Sequence, residues 1–262
     1  MMLSISNIAW DNTQDETIYE YLNKSNYQAI EIAPSRLVAE NPYDNTKIAL
    51  EKIKHIKEKY NLNVSSMQSI WYGRNERIFG TKEERNILID YTKKAVDYAA
   101  AIGCTNLVFG SPKNRTINSN DQMSIALEFF YNLGKIAYDS GVVIALEPNP
   151  EIYNTNFMNS TKETFDFIKK INSKGLLLNL DLGTVIWNNE SLEDILLDIN
   201  FINHIHISEP YLERIEKREM HLQLNNLLKK YNYSHYVSIE MKNPKDINIV
   251  MDTINYVKEV IR

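Results

Sequence analysis

Apolar residues, many of them β-branched, crowd into short runs along the chain: MLSISNI, QAIEIA, NVSSMQS, TNLVFG, VVIALE, LLLNLDL, INHIHIS and YVSIEM. Each run is six or seven residues long, which suits a strand and is too short for most helices. Between the runs, apolar positions recur every three or four residues, as in TIYEYLNKSN, IALEKIKHIKEKY, NILIDYTKKAVDYAAAIG, DQMSIALEFFYNLGKIAYDSG and TKETFDFIKKI. That spacing predicts amphipathic helices. Gly103 and Gly141 follow two of them and read as helix C-terminal signals. Ser160, with Glu163 three residues on, reads as an N-cap. Eight strands alternating with helices, over 262 residues, predict a single (β/α)8 barrel, an α/β fold spanning residues 1–262. The competing open, doubly wound sheet would carry a glycine-rich phosphate turn after its first strand, and ISNIAWDN has none.

Composition narrows the setting. A net charge of −5 and no evident basic stripe argue against a nucleic-acid partner. No run approaches the roughly 18 apolar residues of a membrane span. The opening MMLSISNIAWDN lacks a basic leader followed by a long apolar stretch. Cys104 is the single cysteine and can form no disulfide within the chain, so a reduced, cytoplasmic setting is expected.

In a barrel of this kind, active sites gather where the C-terminal ends of the strands converge. The last four runs end in IALEPNP, LNLDLGT, HIHISEP and SIEMKNP, and the polar residues standing there are Glu147, Asp181, His206 and Glu240. Three carboxylates on one rim repel one another unless a positive charge sits among them. Three oxygens and one nitrogen form a hard donor set, suited to one divalent ion: Mn²⁺ first, with Mg²⁺, Co²⁺ or Zn²⁺ also compatible. Taken singly, each residue has a plainer reading as a helix cap, a turn former, a core histidine or the partner of Lys242. Their joint occurrence on successive strands favours the metal. His204 shares a face with His206 and either lines the barrel floor, supports the metal histidine or simply packs.

In these motifs the chain resembles the sugar phosphate isomerase/epimerase superfamily, the xylose-isomerase-like TIM barrels. YQAIEIAP, LVFGSPKNR, IALEPNP, NLDLGT, HIHISE and SIEMK fall in that family's order, and the spacings of 34, 25 and 34 residues between Glu147, Asp181, His206 and Glu240 are close to those of ketose 3-epimerases and inosose-processing relatives. The resemblance implies one divalent metal held by Glu147, Asp181, His206 and Glu240, with Glu147 and Glu240 also the catalytic acid–base pair. It implies proton abstraction next to a carbonyl through an enediolate, on a sugar, sugar phosphate or cyclitol. It is compatible with a homo-oligomer, since relatives are often dimers or tetramers. Two positions depart from the ketose 3-epimerase pattern. Tyr153 stands where those enzymes have a second glutamate, and Thr184 where they have a histidine, which puts a free ketohexose in doubt.

Other strand ends offer contacts to a small carbohydrate. Trp10 and Trp71 suit stacking on a sugar face, although a tryptophan is more often a core residue. Glu31 suits a substrate hydroxyl or another barrel residue. Gln68 stands near the end of the third run, and Lys113 and Arg115, in GSPKNR, suit an anionic group or a solvated loop. Asn156 and Phe157 could close as a lid, while Arg214 and Lys242 lie beside the last two ligand strands. Three alternatives start from the same motifs: a dehydratase of an inosose-like keto-polyol, a DNA-repair endonuclease branch, and a catalytically silent sugar-binding barrel. The endonuclease branch uses many histidines, and this chain has five, with negative net charge.

Overall fold

All eight apolar runs form strands in the computed structural model, which describes residues 1–262 apart from the side chain of Asn120. They are β1 (Met2–Ile5), β2 (Ala29–Ile32), β3 (Asn63–Met67), β4 (Asn106–Phe109), β5 (Val143–Leu146), β6 (Leu176–Asp181), β7 (Ile202–Ile207) and β8 (Tyr236–Ile239). Every pairing is parallel, and the strands follow one another round the sheet in the order β1-β8-β7-β6-β5-β4-β3-β2. β2 returns to β1 through a parallel bridge between Ser6 and Glu31 and a bond from Gln28 N–H to the Leu3 carbonyl at 3.1 Å. The sheet is therefore a (β/α)8 barrel.

Helices surround it: α1 (Asp15–Lys24), α2 (Pro34–Leu37), α3 (Thr46–Tyr60), α4 (Lys82–Ala101), α5 (Met123–Asp139), α6 (Thr161–Ile171), α7 (Leu182–Asn188), α8 (Leu192–Ile195), α9 (Glu219–Lys230) and α10 (Ile247–Val260). Their ends follow the local chemistry. Ser160 caps α6 by accepting the Glu163 N–H at 3.1 Å. The Glu163 carboxylate turns back to the N–H groups of Met158 and Asn159 at 3.0 and 2.8 Å. Gly103 and Gly141 sit just past α4 and α5 at φ +74° and +70°, a conformation that costs a residue with a Cβ about 1–2 kcal/mol.

Strand alternation sorts the chain into two faces. The face toward the helices is apolar, with Ile5, Ile32, Phe109, Leu146, Leu180, Ile207 and Ile239 all buried. The opposite face fills the barrel with buried polar groups: Ser4, Glu31, Asn179, His204, His206 and Ser238. A barrel of this type is ordinarily filled by branched apolar side chains. A polar interior of this kind conflicts with simple stability and marks function. Among the described residues no helix is long and apolar enough to cross a membrane.

Candidate metal centre

Four consecutive strands bring Glu147, Asp181, His206 and Glu240 together. Glu147 and Glu240 directly follow β5 and β8, Asp181 ends β6, and His206 is the last residue but one of β7. One donor atom from each lies within 4.8 Å of all the others. His206 Nδ1 is 3.0 Å from Glu147 Oε1 and 3.1 Å from Glu240 Oε2. Asp181, His206 and Glu240 are buried, and Glu147 leaves 12% of its side chain exposed.

The electrostatics are those of crowded acid groups. Burial and the nearby Glu147 charge push Asp181 up to about 6. Burial pushes Glu240 up to about 7 against the pull of His206, with Glu147 and Glu31 adding to the rise. For His206 burial opposes the charged ring, but the carboxylates of Glu240 and Glu31 outweigh it and its pKa moves well up. Three carboxylate oxygens and one imidazole nitrogen at this separation match the donor set of a hard divalent cation.

Each ligand is held by its neighbours. Asp181 caps α7: its Oδ2 accepts from the Thr184 N–H at 2.7 Å and the Thr184 hydroxyl at 2.9 Å, while Oδ1 accepts from the Ser208 hydroxyl. The capping role and the metal role are thus compatible in one side chain. Asn179 donates to Glu147 Oε1 at 2.7 Å and lies 3.1 Å from His206 Nδ1. Behind His206, Glu31 Oε2 is 3.0 Å from its Nε2 and 2.7 Å from His204 Nε2. Burial alone would raise the Glu31 pKa, but His206 and His204 outweigh it and hold the carboxyl well below its usual range. A carboxylate behind a metal histidine fixes which ring nitrogen keeps its proton, here leaving Nδ1 for the cluster. His204, one layer deeper, lies against Glu31.

A cavity of about 230 Å³ opens onto the cluster, lined by Glu147, Asp181, Glu240, Gln68, Asn149 and Tyr153 among others. It is smaller than the roughly 300 Å³ lower bound of drug-sized sites. Gln68, expected at the substrate, lines it. The remaining candidates lie elsewhere. Trp10 is buried edge-on to Tyr19, with its indole N–H on Asp15 at 2.8 Å. Trp71 packs on Phe109 and donates to Thr92 at 2.8 Å. Glu31 faces histidines rather than the cavity. Lys113 is exposed, 3.5 Å from Asn75 Oδ1. Asn156 ties two loops together through the N–H and carbonyl of Ile117, both at 2.8 Å, and Phe157 is buried against Phe79, Phe130 and Phe167. Arg214 is exposed on a separate surface trough with Lys217 and Tyr256. Lys242 is exposed and pairs with Glu213.

Sequence reasoning missed the supporting residues Asn149, Asn179 and Ser208. Each stands two positions from a ligand, namely Glu147, Asp181 and His206. A two-residue period along the extended chain was the signal that pointed to them.

A family model described as a xylose isomerase-like TIM barrel matches residues 19–260. The chain belongs to that family. Solved structures agree with the xylose isomerase-like barrel. The 3-keto-D-glucoside 4-epimerase of E. coli superposes with a TM-score of 0.79 at 18% identity, covering 99% of each chain. D-Psicose 3-epimerase of Clostridium cellulolyticum H10, solved with D-tagatose, gives 0.79 at 14% identity over 100% of each chain. A sugar phosphate isomerase/epimerase of Parabacteroides distasonis gives 0.71 at 15% identity, covering 100% of this chain and 95% of that one. No curated protein sequence matches the chain.

Proposed function

We propose that this xylose isomerase-like barrel is a divalent-metal-dependent epimerase or isomerase of a small keto-sugar, sugar phosphate or cyclitol. One observation carries the reading: three carboxylates and one imidazole converge within 4.8 Å beside a cavity of about 230 Å³. The relatives' names, a keto-glucoside epimerase and a psicose epimerase, point to the same chemistry. Glu147, Asp181, His206 and Glu240 would hold one ion, with Mn²⁺ the first candidate and Mg²⁺, Co²⁺ or Zn²⁺ acceptable to the same donors. When bound, that ion supplies positive charge against the oxygen charge that develops as a proton leaves the neighbouring carbon.

The chain's own residues do the rest. Glu147 accepts the proton from the carbon next to the carbonyl. Glu240 returns a proton to the carbon from the opposite face. Gln68 and Tyr153 present amide and hydroxyl groups to sugar hydroxyls. A net charge of −5 speaks for a small carbohydrate rather than a nucleic acid as the partner, and the lone buried Cys104 suits a reducing cytoplasm. A homo-oligomer is compatible with this assignment.

The test is incubation in D₂O with Mn²⁺ and a panel of ketoses, ketose phosphates and keto-glycosides, read by NMR. Deuterium is expected at the carbon beside the carbonyl of at least one of them. Glu240→Gln is expected to slow that exchange by at least about 100-fold, in the range of general acid–base contributions. Wild-type protein that binds Mn²⁺ and labels none of the panel would overturn the reading.

A further inference from the structure

The turn after β4, Phe109-Gly110-Ser111-Pro112-Lys113-Asn114-Arg115, meets the centre from a side that no metal ligand occupies. Arg115 is fully buried, and its Nη2 donates to Asn149 Oδ1 at 2.8 Å. Asn149 Nδ2 in turn donates to Glu147 Oε2 at 3.3 Å. A guanidinium can only donate, so it draws the amide oxygen toward itself and leaves the NH₂ for the carboxylate. Gly110 closes the other side. A Cβ at that position would stand 2.7 Å from Glu147 Oε2. The turn itself is braced: Asn114 donates to the carbonyls of Arg74 and Glu76 at 3.3 and 2.8 Å, and Ser111 adopts φ +42°.

The two oxygens of Glu147 therefore have different surroundings. Oε1 takes the Asn179 bond at 2.7 Å and faces His206 Nδ1 at 3.0 Å. Oε2 faces Gly110 and Asn149, both of which line the cavity. Arg115 Nε and Nη1, meanwhile, have no partner. A buried cation with two idle donors costs stability, so folding alone gives no reason to keep it there.

We propose that Gly110, Asn149 and Arg115 form a positioning device that sets Glu147 Oε2 as the oxygen receiving the substrate proton, while Oε1, beside His206 Nδ1, would be the oxygen that holds a bound ion. This rests on the acid–base reading above. In that step the C–H bond breaks, its electron pair moves toward the carbonyl, and a new O–H bond forms at Oε2. A carboxylate free to turn about its Cγ–Cδ bond would exchange its two oxygens and lose this alignment.

The test pairs Mn²⁺ titration by EPR with D₂O exchange kinetics on wild type, Asn149→Asp, Gly110→Ala and Arg115→Lys. Asn149→Asp keeps the shape and still accepts from Arg115, but turns an oxygen toward Oε2. It is expected to lower the exchange kcat by about 100-fold, with KM and Mn²⁺ affinity each changed by less than about threefold. Gly110→Ala and Arg115→Lys are expected to move kcat the same way, by about tenfold or more. If Arg115→Lys fails to fold, Asn149→Asp at the cavity edge still decides the matter. An unchanged kcat in Asn149→Asp overturns the proposal. So does a loss of Mn²⁺ affinity in step with kcat, which would make the turn a support for the metal. Wild-type protein that binds Mn²⁺ but exchanges with no sugar sinks the acid–base reading and this proposal together. That failure is told apart by needing no variant.

Discussion

At the scale of single residues, Glu31 shows how much of the centre lies outside the ligand set. Its Oε2 meets Nε2 of both His204 and His206, so a single anion orients two rings. Glu31→Leu keeps a side chain of similar bulk but removes the oxygen that meets both rings. Mn²⁺ affinity is expected to fall by about 10–100-fold, the usual cost of losing such a carboxylate, as read by isothermal titration on the folded variant. Unchanged affinity would mean that packing alone holds the His206 ring. The four ligand candidates were legible because each stands where an apolar run gives way to Pro, Gly or Asn. Glu31 was legible as a polar residue in a strand, but not its direction. Its partners come from β7, more than 170 positions later, and no local pattern announces them.

Secondary structure divides along the same line. The strands were legible because a fully buried run of β-branched residues has few other uses, and long helices because their apolar spacing repeats over several turns. α2, α7 and α8 span four to seven residues, too few for a period to show. Loop paths were hidden for a related reason. Trp10, Asn156 and Lys242 are directed by Asp15, Ile117 and Glu213, contacts that only the folded chain creates. The junction of α5 with β6 is another such contact. Gly134 and Gly175 meet so closely that a Cβ on Gly175 would overlap the Gly134 carbonyl oxygen. Backbone cannot swing aside as a side chain can. Gly175→Ala is therefore expected to cost at least about 2 kcal/mol, within the usual range for overpacking. At roughly 2–4 °C per kcal/mol, that lowers Tm by about 4–8 °C in a thermal melt. Gly103→Ala, where nothing lies within 4 Å and only the positive φ is strained, should cost about 1 kcal/mol. Equal melting points for the two variants would argue against a close helix–strand approach.

For the molecule as a whole, the buried acids link stability to pH and to metal at once. Asp181 and Glu240 sit at about 6 and about 7 in the fold, against 3.8 and 4.5 for unperturbed groups. Between those values the folded state retains protons that the unfolded chain has released. The contribution of these two groups is complete below the unfolded pKa values and is lost as pH rises through the folded ones. His206, also shifted upward, acts in the same sense at higher pH. Glu31, shifted downward, acts in the opposite sense, but only at pH below the ordinary carboxylate range. His204, His221 and His235, whose pKa values burial lowers, act in the opposite sense below about pH 6.5. Chelator-treated protein is therefore expected to lose Tm mainly between about pH 6 and pH 8. Mn²⁺ should reverse this trend, because the ion replaces those protons and competes best once they have left. At a free concentration 100 times Kd the ion adds about 2.7 kcal/mol, so the gap between the melting curves with and without Mn²⁺ should widen toward pH 8. Asp181→Asn removes one charge from the repulsive set and one donor from the cation, so both the pH slope and the Mn²⁺ gap should shrink together. A gap that stays constant across the pH range, or persists in Asp181→Asn, would place the ion somewhere other than among these four side chains.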